Sequence, residues 1–340
     1  MRIVLDVMGG DHGAETIIDG ARLALRSSAS ITQLVLVGRP EDIEAGIKRT
    51  GCRDPRVTIV PATEVLSMED KPVEGLRRKK DCSILRAVDL LKEGQGDALI
   101  SPGNTGGIVA ASTIRLRPLA GVDRPGIATV IPGQKNDFVL LDSGASVECR
   151  PLHLLHFAVM GSIYSREILG YQNPRVGILS NGTEPNKGTE TTQEACKLCK
   201  MADLNFIGYV EGHDLFDDRV DVVVCDGFIG NIVLKTLESF AKGLGGWVKD
   251  EIFTNPKRIL GAMLMKNALR TIKRRLDPDR RGGAPLLGLN GTIFKAHGSA
   301  SALAICNAIG ECTKALQHRL NQMIVSDVAK AGALATVQKS

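Results

Sequence analysis

Short apolar runs alternate with helical periodicities along most of this chain, and that alternation constrains its fold more than any other feature. The runs over 2–6, 34–37, 57–60, 97–101, 126–131, 138–142, 175–180, 205–210, 220–226 and 292–297 read as strands buried on both faces. Between them lie helical patterns such as Ile17, Ile18, Ala21, Ala24 and Leu25, or Ile84, Leu85, Val88 and Leu91. Parallel strands need crossover connections, so strands separated by helices predict an α/β fold. The expectation is a Rossmann-like three-layer, mostly parallel sheet. No repeat or low-complexity linker interrupts the pattern, so residues 1–340 are expected to form a single domain. With 43% apolar and 4% aromatic residues, its core must be aliphatic. One stretch departs: from about 230 to 281 the pattern is helical without a strand, and it carries Trp247, Phe253, Leu260 and Met263. Such an excursion is expected to pack on a partner subunit, on a membrane surface or on its own domain.

No apolar run approaches the roughly 18 residues of a membrane span. Met1-Arg2-Ile3 enters a strand pattern directly, so no signal peptide is expected. The eight cysteines are scattered rather than spaced as a disulfide framework, which points to a reducing cytoplasm. The net charge of +5 is unevenly spread. It gathers at Arg77-Arg78-Lys79-Lys80, Lys257-Arg258, Lys273-Arg274-Arg275 and Arg280-Arg281. These are either solvated helix faces or docking surfaces for an acidic partner or an anionic membrane. Nucleic acid is not expected, because stacking aromatics are scarce and no binding motif is present.

Ligands of open parallel sheets bind beyond the carboxyl ends of the strands. Here those ends read Asp6 to Gly9-Gly10-Asp11, Ser101-Pro102-Gly103-Asn104-Thr105-Gly106-Gly107, Asp142-Ser143-Gly144-Ala145-Ser146, Ser180-Asn181-Gly182-Thr183-Glu184 with Asn186-Lys187-Gly188, Asp226-Gly227 to Asn231, and His297-Gly298-Ser299. Each alone is a glycine turn with an Asn or Asp cap. Together they predict a site of helix N-termini, uncharged amides (Asn104, Asn181, Asn186, Asn231) and one ammonium, Lys187, suited to a small tetrahedral anion and a carbonyl. Neither G-x-G-x-x-G nor G-x-x-x-x-G-K-[ST] occurs, which disfavours a dinucleotide or triphosphate on a standard loop. Cys196-x-x-Cys199 lacks a second pair, so no metal is expected. No G-x-S-x-G elbow is present. His153 and His156 read as packing residues in an apolar helix, whereas His297 ends a strand beside two small residues.

The stretches "DVMGGDHG", "SPGNTGG", "RPGIATVIP", "LDSGA", "SNGTEPNKGTE", "VDVVVCDGFIGNIVLK" and "GGAPLLGLNG" with "AHGSAS", in this order across nearly the whole chain, resemble the phosphate acyltransferase (PlsX) family of bacterial phospholipid synthesis. The resemblance implies a fold similar to isocitrate and isopropylmalate dehydrogenases and phosphate acetyltransferase. It implies transfer of an acyl group from acyl-acyl carrier protein to inorganic phosphate by direct attack on the thioester, with no cofactor. It also implies a cytoplasmic homodimer peripherally associated with the membrane, and a membrane glycerol-3-phosphate acyltransferase that uses the acyl phosphate. Under this reading Lys187 and Asn231 hold phosphate and polarise the carbonyl. Asn104, Thr105 and the N–H groups around Gly103 and Gly106 complete an anion cradle. Gly9 and Gly10 let the backbone approach the ligand. Asp6, Asp11 and Asp226 cap turns or orient Lys187 and the amides. Asp142, Asn181, Thr183, Asn186 and Gly227 complete the binding set, and His297 protonates the leaving thiolate. The chain departs from the family pattern at Pro102, Ser143, Gly107 and Ser146, and Ser146 stands where an asparagine amide is usual. Three other readings remain: a phosphate acetyltransferase-like enzyme using acyl-CoA, a dehydrogenase of the isocitrate type, and a non-catalytic scaffold that docks carrier protein.

Overall fold

Ten apolar runs become ten strands. In this computed structural model, which describes residues 1–337, they are β1 (Arg2–Asp6), β2 (Gln33–Gly38), β3 (Val57–Pro61), β4 (Ala98–Ser101), β5 (Gly126–Pro132), β6 (Asp137–Leu141), β7 (Val176–Leu179), β8 (Phe206–Val210) and β9 (Val222–Val224), with β11 at Thr292–Ala296. An eleventh, β10 (Gly283–Leu287), was not expected. Its Pro285 lacks a ladder donor, which ordinarily keeps proline out of a sheet's interior. The strand accommodates it by changing neighbours along its length: 283–285 pair with β11 and 286–287 with β5.

All eleven form one sheet in the order β3-β2-β1-β4-β11-β10-β5-β6-β9-β7-β8. Pairing is parallel except at β11–β10, β10–β5 and β5–β6. Three successive reversals leave β1, β4 and β11 running opposite to β6, β9 and β7. The polar strand ends therefore fall into two groups of opposite sense, not along one edge as the sequence suggested.

The helices are α1 (Gly13–Ser27), α2 (Pro40–Thr50), α3 (Pro72–Arg78), α4 (Ser83–Lys92), α5 (Thr105–Leu116), α6 (Pro151–Tyr164), α7 (Glu190–Met201), α8 (Gly227–Phe253), α9 (Pro256–Leu264), α10 (Lys266–Leu276), α11 (Ala302–Gln317) and α12 (Leu320–Val337). Strand periodicity explains the layering, because alternate residues face opposite sides. Ile3, Leu5, Leu34, Leu36, Val139, Leu141, Val222 and Val224 share one face with α1, α6, α7, α11 and α12 in a continuous core. The opposite face is covered in two patches. Val4, Val35, Leu99 and Ile293 lie under α4 and α5. Phe138, Leu140, Val210 and Val223 lie under Val233, Leu234 and Leu237 of α8. The expected helical excursion is α8, α9 and α10, and no residue of α9 or α10 is buried. No helix among the described residues is long and apolar enough to cross a membrane.

The α8 patch is small, and Phe138 is its largest fully buried side chain, with the Phe216 ring edge-on at 6.0 Å. Phe138→Ala should therefore cost about 3–5 kcal/mol. The shift in denaturant midpoint multiplied by the m value, compared between variant and wild type, checks it.

Candidate functional site

The first group of strand ends is held together by backbone contact. Gly9 lies so close to Gly103 that a Cβ there would sit 2.1 Å from the Gly103 Cα. The Asp11 N–H donates to the Gly298 carbonyl at 2.8 Å, tying the β1 loop to the β11 loop. Asp6 is fully buried at the end of β1 and accepts from Ser101 Oγ at 2.6 Å and from the Met8 N–H at 3.1 Å. Burial pushes its carboxyl up, opposed by hydroxyl bonds from Ser101 and Ser83. Beside it stands Lys295, half-buried in β11, whose ammonium donates to the Pro102 carbonyl at 3.1 Å and to that of Ala296. Desolvation lowers the Lys295 pKa to about 8, against the pull of the Asp6 and Asp11 carboxylates.

Asn104 does not face a ligand, which corrects its assignment as a cradle amide. Its Oδ1 accepts from Gly107 N at 2.9 Å and caps α5. Its Nδ2 is spent on the carbonyls of Ser67, Met68 and Asp70. That cap leaves the N–H groups of Thr105 and Gly106, both exposed, without a protein acceptor among the described residues. These donors open the first turn of α5, where anions are favoured. His297 is exposed, and its Nδ1 accepts from the Ser299 N–H at 3.2 Å. In the neutral ring this fixes the proton on Nε2, which can then donate.

In the second group Asp142 also corrects its assignment. It has no exposed surface, and its carboxylate accepts the N–H groups of Ile127, Gly144, Ala145 and Ser146 at 2.7–3.0 Å. It shapes the turn and cannot touch a ligand. Ser146 is equally enclosed, with its hydroxyl donating to the Pro125 carbonyl at 3.2 Å, so nothing there replaces the missing amide. On this turn sits the start of α8. Asp226 caps it by accepting from Ile229 N at 2.8 Å, and Gly227 N donates to the Ser146 carbonyl at 2.8 Å. Asn231 then lies exposed against Gly144. One turn on, Lys235 is near enough to Lys295 to depress its pKa. α8 thus links the two groups.

The β7 end contributes a braced loop. Asn181 Oδ1 accepts from Gly188 N at 3.0 Å, and Gln193 donates to the carbonyls of Asn186 and Lys187. The Thr183 hydroxyl, the Asn186 amide and the Lys187 ammonium have no protein partner among the described residues. No carboxylate of Asp6, Asp11 or Asp226 bonds to Lys187, so the expected orienting role is corrected: Asp6 and Asp226 fix turns, and Asp11 sits by Gly298 and Lys295. Burial disfavours the thiolate at the two cysteines nearest the second group. Burial pushes Cys149 up to about 12 and Cys225 well above its ordinary value.

The sequence reading missed Lys295, together with Ser83 and Lys235, and placed Ser101 at a strand end without a role. A signal for Lys295 existed: a lysine inside the strand Thr292-Ile293-Phe294-Lys295-Ala296 is seldom enclosed without a partner or a task.

The fold is similar to that of the phosphotransacetylase of Streptococcus pyogenes, with a TM-score of 0.64 at 15% identity over 92% of this chain and 94% of that one. The fold is thus a Rossmann-like α/β architecture. Residues 1–323 match the family described as "Fatty acid synthesis protein". The phosphate acyltransferase of Akkermansia muciniphila is 43% identical over 99% of this chain and 98% of its own length. That of Desulfitobacterium hafniense is 48% identical over 91% and 92%. The chain belongs to this family, the phosphate acyltransferases, and is an acyltransferase.

If the Lys295 ammonium serves the cradle, anion affinity falls as pH rises through about 8, by up to about tenfold for each further unit. Lys295→Arg should flatten that component. Phosphate titration of both proteins by calorimetry, at matched pH values, separates it from the titration of phosphate itself.

Proposed function

We propose that this enzyme transfers a fatty acyl group from acyl-acyl carrier protein to inorganic phosphate, giving acyl phosphate for phospholipid synthesis. The observation that carries the reading is a set of unpartnered donors without a nucleophile. The Thr105 and Gly106 N–H groups, the Asn186 amide and the Lys187 ammonium are without protein partners among the described residues, while burial disfavours the thiolates of Cys149 and Cys225. Such a site suits a reaction whose nucleophile is itself the bound anion.

A phosphate oxygen attacks the thioester carbon, and the carbonyl oxygen becomes an oxyanion facing Lys187 and Asn231. Collapse breaks the C–S bond. The proton that hydrogenphosphate gives up reaches the thiolate through His297, so acyl phosphate and free thiol are the balanced products. Rate enhancement comes from placing the reactants and from donors aimed at the developing charge. Asn181, Thr183 and Gly227 shape the phosphate pocket, and no cofactor or metal takes part.

The helical arm α8–α10 is the contact surface of a cytoplasmic homodimer that binds anionic membrane peripherally. Leu260, Met263, Leu264 and Met265 are exposed on it, close in sequence to Lys273, Arg274 and Arg275. Membrane association brings the labile acyl phosphate near the glycerol-3-phosphate acyltransferase that consumes it.

The test is release of carrier protein from a long-chain acyl-acyl carrier protein, with and without phosphate. Release should require phosphate, and Lys187→Ala should lower its rate by about 10²–10³-fold. Phosphate-independent release would indicate a hydrolase, and no release a docking scaffold. Faster turnover of short acyl-CoA would favour a phosphate acetyltransferase-like activity.

A further inference from the structure

Four basic clusters mark the chain, and the structure distinguishes them. Arg258 pairs with Glu251. Arg281 bonds Asp137, and Arg275 donates to the Gly133 carbonyl. Lys273 and Arg274 belong to the apolar arm. The fourth cluster differs. Lys79 is turned inward, bonded to Asp70 at 2.5 Å and to the Val65 carbonyl at 2.9 Å. That brace leaves Arg77, Arg78 and Lys80 exposed, and none of them has a carboxylate or hydrogen-bond partner among the described residues. Met68 and Val73 are exposed on the same segment, each at 46%.

This segment is joined to the cradle. Asn104, the cap of α5, holds the carbonyls of Ser67, Met68 and Asp70 at 3.0–3.3 Å. Pro72, the first residue of α3, lies against Gly106, where a Cβ would meet its ring at 2.5 Å. A partner seated on α3 therefore rests beside the unpartnered N–H groups of Thr105 and Gly106. The segment thus sets exposed apolar residues beside unpaired cations, with Glu69 exposed and Glu74 paired to Lys71 on the same stretch, a mixture of the kind found at transient protein interfaces.

We propose that α3 and its flanking residues, with Arg77, Arg78 and Lys80 beside Met68 and Val73, form the surface on which an acidic carrier protein docks to present its thioester to the cradle. The proposal rests on the carrier-protein donor proposed above. Opposite charge at a rim acts mainly on encounter rate and on salt dependence. The Asn104 bridge gives that surface a fixed register with the chemistry.

The test compares the wild type with Arg77→Glu/Arg78→Glu/Lys80→Glu and with a distant reversal, Lys48→Glu/Arg53→Glu. Binding of unacylated carrier protein is measured by calorimetry over a range of salt. Phosphate-dependent turnover is measured with acyl-carrier protein and with acyl-pantetheine, which needs no docking. The triple variant should bind carrier protein about tenfold or more weakly at low salt and lose most of the salt dependence. It should raise KM for acyl-carrier protein while keeping kcat and its turnover of acyl-pantetheine. The distant reversal should match the wild type. Carrier affinity and salt slope unchanged in the triple variant would overturn the proposal. So would an equal loss in the distant reversal, or an equal loss with acyl-pantetheine. Binding that depends on the three residues, in a wild type that turns over no acyl-carrier protein, would uphold the surface and overturn the reaction instead.

Discussion

The seating of the α8 N-terminus on the Asp142 turn is the contact on which the rest of the site depends. A carboxylate with no exposed surface is costly unless its lone pairs are filled, and here four N–H groups fill them. The filled carboxylate fixes the turn from 142 to 146, and the turn offers its Ser146 carbonyl to Gly227. The helix can come this close only because residue 230 has no side chain: a Cβ there would stand 1.9 Å from the Asp142 carbonyl oxygen. Once α8 is seated, Asn231 and Lys235 have nowhere else to be. They reach from the β6–β9 ends toward the β1–β4–β11 ends, and two strand groups of opposite sense face one helix.

Much of this was legible in sequence, and what was not has a physical cause. Period and flanking glycines find ten strands because each is a short apolar run, although the edge strand β3 buries none of its residues. β10 escapes because Pro285 argues against a strand in any reading that lacks the partner's register. Missing β10 has a further consequence, since it makes two of the three reversals that divide the strand ends. The site was legible as residue types but not as directions. Asn104, Asp142 and Ser146 have the chemistry to hold a ligand and the chemistry to hold a turn, and sequence does not say which way an amide or carboxylate faces. The three hydrogen bonds from Asn104 Nδ2 and the four into Asp142 assign both inward. Lys295 was overlooked for the opposite reason, having been counted as part of a strand.

The two groups also divide the electrostatic work. Asp6 and Asp11 surround Lys295 with negative charge, and burial and Lys235 push against them. This ammonium is poised by opposing influences, so a bound anion or a passing proton can shift it. Lys187 has no ion pair among the described residues, although the Glu184 carboxylate lies beside its stem across Gly182, on a loop braced through backbone carbonyls and Asn181.

α8 carries the argument beyond the site. At 1.5 Å per residue its 27 residues extend about 40 Å. Only the first part is held: Gly227 and Gly230 are its buried residues, and Val233, Leu234 and Leu237 rest on the Phe138 patch. Beyond them Phe240, Trp247 and Phe253 are exposed, and α9 and α10 bury nothing. Scattered exposed apolar residues are ordinary, but a run of this length along one arm is not. Covering it would gain about 25 cal/mol for each Å² of apolar area removed from water. The helix that carries Asn231 and Lys235 therefore also carries exposed apolar surface, and α8 joins the arm to the strand ends.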